Sequence, residues 1–129
     1  MAKQLYGLAA LLSGLIGLAH MVSGGAIIVP PLFASTDVPE NVAALSYFVW
    51  HCGSVSILAM LIAYTYAAMR PGGRPMAMLA TLIAFGFGVV GLGSAAFVSG
   101  TLWGTPAPYV FSIIGLVALV AIATDKRTA

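Results

Sequence analysis

Four long apolar runs follow one another along this chain, and no charged residue falls inside any of them. They cover about residues 5–29, 43–69, 76–98 and 108–124. A helix rises 1.5 Å per residue, so crossing a hydrocarbon core of ~30 Å takes about 20 residues. The first three runs meet that length, and the fourth lies at the short end of the range. Backbone amides cannot stay unpaired in lipid, so each run is expected to be a helix. Composition agrees: 61% of the residues are hydrophobic and 6% charged, where a water-soluble domain carries roughly 25% charged. The expected fold is all-α, an integral membrane four-helix bundle forming one domain over residues 1–129. The first run exceeds the roughly 7–15 residues of a signal-peptide core and reads as a helix of the protein.

The breaks carry their own chemistry. Pro30-Pro31 is expected to stop the first helix, because proline has no N–H and its ring clashes with the preceding turn. Pro71-Gly72-Gly73 makes the second turn, with Pro75 opening the third helix. The third connection, Gly100–Pro106, holds Trp103 and no charge; Trp103 and Tyr109 read as interfacial aromatics. All five basic residues, Lys3, Arg70, Arg74, Lys126 and Arg127, fall at the termini or in the middle turn. Four spans put those three places on one side. Two of the three acids, Asp37 and Glu40, fall on the other. The positive-inside rule then predicts cytoplasmic N- and C-termini in a multi-pass protein of the cell inner (cytoplasmic) membrane.

Two helix faces are rich in small residues. Ser13, Gly17, His20 and Gly24 share one stripe of the first helix. Ala84, Gly88, Gly91 and Ala95 share one on the third, with Gly86 and Gly93 beside it. Small residues let helix backbones approach closely in lipid. The third helix therefore either packs inside the bundle or offers a seam to other membrane subunits or to a homo-oligomer.

The histidines are the polar feature that bears on function. His20 lies nine residues before Val29 and His51 eight after Ala43. Both then sit on the order of 12–14 Å below the outer boundary. Antiparallel neighbours pack about 8–10 Å apart, so the two imidazoles are expected within about 10 Å of each other. Ionisable groups inside a membrane raise a functional hypothesis by default. The candidate cofactor-binding residues are His20 and His51, with Tyr47, Trp50 and Ser54 nearby. The readings open at this point are a haem (haem b) with two axial histidines, a quinone or small-ligand pocket, a proton relay, and plain structural hydrogen bonding to Ser23, Ser54 or Tyr47. Two histidines are too few for zinc, and His51-Cys52 is not a chelating pair, because helix neighbours point about 100° apart. No metal is assigned.

Catalytic signatures are missing from the sequence: it has no phosphate-binding loop, dinucleotide fingerprint, zinc-protease motif or nucleophile elbow. No catalytic residue is assigned, and a non-catalytic role is favoured over an enzyme. The few basic residues orient the chain in the membrane and make no nucleic-acid patch.

The stretch GLAHMVSGGAIIVPPLFAS, followed by VWHCGS, resembles small bacterial four-helix membrane proteins with a histidine late in helix 1, a proline-rich outer turn and Trp-His early in helix 2. More loosely it resembles DoxX-type four-helix proteins. The likeness covers roughly residues 11–56 and marks His20, Pro30, Pro31, Trp50 and His51. DoxX-type proteins are linked to quinone or thiosulfate redox chemistry, for which this chain has few distinctive polar residues. The expected function is an auxiliary or ligand- or cofactor-binding subunit of a membrane complex. The alternatives are a haem-binding redox protein using His20 and His51, and a small oligomeric transporter.

Overall fold

The computed structural model describes residues 1–127, and among these it contains helices and turns but no strand. Four helices are long and apolar enough to cross a membrane. They are α1 (Ala2–Ala34), α2 (Glu40–Met69), α3 (Arg74–Phe97) and α4 (Ala107–Thr124). Short 3-10 turns, Pro71–Gly73 and Gly100–Gly104, precede α3 and α4. The chain is a multi-pass, all-helical bundle. Each helix packs against the next, and α4 closes the ring against α1.

Pro30 and Pro31 do not end α1, which runs through them to Ala34. Each proline removes one amide donor, but only one turn of helix remains beyond them. Closure comes when Ser35 N–H reaches Pro31 O. Helix α2 also starts earlier than its apolar run, at Glu40. Pro39 supplies the carbonyl that takes the Val42 and Ala43 amides, and the acidic Glu40 suits the positive end of the helix dipole.

Packing is uneven along the bundle axis. At the end that holds both termini, Tyr6, Met60, Tyr64, Ala77, Ala118 and Ala121 are buried together. Across α2 and α3 the Tyr64 hydroxyl lies 3.2 Å from Thr81 Oγ1, which itself donates to Ala77 O. The Thr81 proton is thereby taken, so Tyr64 is the donor between them. Beyond Ser13, no residue of α1 is buried. The far end is therefore open, and a cavity of about 440 Å³ forms there.

Glycines fix the close approaches. A Cβ on Gly91 would lie 2.9 Å from Ala107 O, and one on Gly115 would lie 2.9 Å from the Phe85 ring. Gly88 lies against Ser112. The small-residue stripe of α3 is thus covered by α4 within the chain. A methyl added at Gly86 or Gly93 would meet nothing within 4 Å, so these two open away from it. On α1 the stripe faces α2: Gly17 meets Ile57, and Gly24 meets the Trp50 indole.

Candidate binding site

The helical ladder of α1 changes at His20. Residues His20–Gly24 form a π turn, with the Gly25 amide reaching back to His20 O. Such wide turns are rare and often lie at functional sites. This one turns the His20 ring onto α2. The imidazole lies flat against the Trp50 indole, with centroids 3.9 Å apart and planes 14° from parallel. Its Nε2 is 3.3 Å from Trp50 O. A carbonyl only accepts, so Nε2 carries the proton and, in the neutral ring, Nδ1 keeps its lone pair. No group among the described residues donates to Nδ1. Room for the stack depends on Gly24, where a Cβ would lie 2.5 Å from the indole; at Gly53 a Cβ would only come into ordinary contact with the imidazole, 3.8 Å from Nε2.

His20 and Trp50 form one wall of a cavity of about 440 Å³ between α1 and α4. Ser23 lines it from the π turn, Phe111 from α4, and Thr105 from the loop that closes the far end. Exposed Ile27 and Ile28 stand on its border. Ligand sites typically have this size, with apolar walls and few polar groups (about 300–1,000 Å³).

His51 has different surroundings. Its ring meets Tyr47 edge-on, with centroids 4.5 Å apart and planes at 88°. Tyr47 in turn meets Phe33, near the end of α1, at 5.6 Å. His51 lines a groove with Phe48, Cys52, Val55 and Ser56, all on α2. Ser54 bonds neither histidine. Its hydroxyl lies 3.1 Å from Met21 Sδ and 3.3 Å from Trp50 O, the same carbonyl that His20 approaches. Of the residues singled out in the sequence, His20, Trp50 and Ser54 converge on one carbonyl, while Tyr47 and His51 form a separate aromatic group. A haem iron held axially by both histidines needs one space shared by the two rings. Here the rings line different cavities, and Nε2 of His20 is engaged with Trp50. Among the described residues, no three His, Cys, Asp or Glu side chains are grouped to hold a metal ion.

A second polar cluster lies at the terminal end and was not legible from residue spacing. Asp125, just past α4, has a fully buried side chain and pairs with Arg127 at 2.8 Å. Arg127 Nη2 also donates to Ala67 O at 2.8 Å. The guanidinium stands 5.6 Å over the Tyr6 ring. The Tyr6 hydroxyl is buried beside Asp125 but outside hydrogen-bonding geometry. Arg127 holds the Asp125 carboxyl down at about 2, chiefly by the side-chain hydrogen bond and against the effect of burial. One sequence signal points to this cluster. The regular partner of Ala67 O would be the amide of residue 71, which is proline. That carbonyl therefore needs a donor from elsewhere.

No protein-family model matches the chain, and neither the curated proteins nor the solved structures give a match. The DoxX-type likeness rests on the quoted residues alone.

Proposed function

We propose that this membrane protein holds a small lipophilic ligand in the His20–Trp50 cavity and serves as an accessory, ligand-binding component rather than a catalyst. The carrying observation is the cavity itself. It joins apolar walls to a histidine with one unengaged nitrogen, at the only wide turn among the described helices. Several other hydroxyls of the spans are turned onto their own helices. Ser13 donates to Ala9 O, Ser56 to Cys52 O, and Thr124 to Val120 O. Such back-bonds hold a hydroxyl within its own helix and leave it little to offer a ligand. The cavity borders lipid, so the bilayer is the natural source of its occupant.

The chain has two tryptophans, so a Trp103→Phe variant reports Trp50 alone. In nanodiscs, Trp50 emission should respond saturably to a ring-bearing lipophile, at about one per chain. Val110→Phe, which narrows the cavity, should abolish the response, and His51→Phe should leave it intact. A response that only rises with lipid partitioning, or one equally sensitive to His51, would remove this reading.

A further inference from the structure

From the hydrogen-bond roles at His20, and on the reading above that the cavity is a ligand site, we infer that its ligand carries a donor hydroxyl on or beside an apolar ring, as a lipophilic phenol does. The proton on Nε2 is directed to Trp50 O. What the ring still offers is the lone pair of Nδ1, which accepts and cannot donate. A ligand presenting only carbonyl or ether oxygens finds no donor on the imidazole. A ligand presenting O–H does find an acceptor there. Ser23 adds the complementary role: it lines the same cavity and makes no side-chain hydrogen bond among the described residues. Its hydroxyl can donate to the oxygen whose proton goes to His20. One ligand hydroxyl then satisfies both groups, accepting from Ser23 and donating to His20.

The remaining walls select the rest of the molecule. The stacked indole and imidazole and the Phe111 ring all line the cavity, which favours a ring as the ligand's body. Ile27 and Ile28 on the border favour an alkyl tail leading back into lipid. A volume of about 440 Å³ admits a substituted ring with part of its tail.

The test compares para-octylphenol with para-octylanisole, its methyl ether, on the Trp103→Phe protein in nanodiscs. The two share ring and tail and differ in the donor. With affinities corrected to mole fraction in the bilayer, the phenol is expected to bind about tenfold tighter, the factor for one hydrogen bond of ~1.4 kcal/mol. That ratio should fall towards one in His20→Phe, which keeps an aromatic ring on Trp50 but has no acceptor. Ser23→Ala, at an exposed position, should weaken both compounds and leave the ratio standing, because an ether oxygen accepts from a serine hydroxyl as a phenol oxygen does. Equal affinities in the protein with His20 would overturn the hydroxyl assignment while leaving the ligand site standing. A ratio that persists in a folded His20→Phe would overturn the role of Nδ1. Saturation by neither compound would count against the ligand site itself.

Discussion

Arg127, beyond the end of α4, donates through Nη2 to the carbonyl oxygen of Ala67, 2.8 Å away on α2. It thereby closes the end of α2 that Pro71 leaves open. The same guanidinium holds the buried Asp125 carboxylate. Replacing it by alanine removes the donor to one buried carboxylate and to one orphaned carbonyl. Arg127→Ala should lower stability in detergent by about 1–3 kcal/mol, the range for buried polar groups left unpaired. The figure sits towards the lower end, because the Arg127 side chain is 29% exposed and solvent screens part of the pair. Arg127→Lys should recover only part of the loss, since a lysine cannot serve both acceptors with a fixed fork. Thermal unfolding of the three proteins decides it; an unchanged midpoint for Arg127→Ala would show that the knot carries no stability.

The same pair gives acid sensitivity of a defined sign. The Asp125 carboxyl is held at about 2 in the folded protein against an ordinary value of 3.8. A folded value below the unfolded one stabilises the protein above the unfolded value, and that stabilisation is lost as protons bind. Stability should therefore be flat with respect to this group above about pH 4 and fall towards pH 2. Asp125→Asn should be less stable at neutral pH and flatter across that window. Parallel acid curves for both proteins would show that the carboxylate is not the source.

Glycine substitutions should sort by what a side chain would meet. At Gly17 a Cβ would already lie 3.1 Å from Ile57 Cγ2, so Gly17→Leu should cost about 1–3 kcal/mol by overpacking. Gly91→Leu should cost at least as much, because it meets backbone rather than a movable side chain. At Gly86 a Cβ has nothing within 4 Å, and Gly86→Ala should be neutral or stabilising by up to about 1 kcal/mol from helix propensity. Unfolding in detergent orders the three, and a destabilised Gly86→Ala would point to a contact outside the chain.

Topology follows from charge placement. Arg127 and Tyr6 meet at one end of the bundle, so both termini share a side, and the turn at Gly72-Gly73 joins them. The clustering of all five basic residues there predicts that this side is cytoplasmic. Reporter fusions after Arg127 and in that turn should read cytoplasmic, and one near Asp37 periplasmic. Opposite readings for the turn and the C-terminal fusion would break the four-span arrangement.

Helix number and the all-helical fold were legible because lipid imposes one strong rule on uncharged runs of this length. The ends of α1 and α2 were less so: a proline pair looks like a stop in water, yet Pro30 and Pro31 lie inside α1. His20 and Trp50 stood out as residues, but not as a stacked pair. Their contact depends on the π turn, and a local change from four to five residues between bonded groups leaves no mark in hydropathy. His51 sits in the same stretch of α2 as Trp50, but neighbours in a helix point about 100° apart. That rotation sends one ring to His20 and the other to Tyr47. Arg127 was read only as a charge that orients the chain, because the partners of the Asp125–Arg127 pair, Tyr6 and Ala67, are distant in sequence.

The helices also differ in length, and the bilayer must accommodate the difference. At 1.5 Å per residue, the 33 residues of α1 make a rod of about 50 Å, while the 18 residues of α4 make one of about 27 Å. A hydrocarbon layer of ~30 Å matches the short rod upright and the long one only at a slant or with its tip among the headgroups. The two are clamped where the termini meet, so a slant spreads them with distance from the clamp, like the blades of opened shears. The His20–Trp50 cavity lies between those blades. By this geometry a thinner bilayer is expected to tilt α1 further and widen the gap, and a thicker one to draw it shut, so access to the site is predicted to follow membrane thickness.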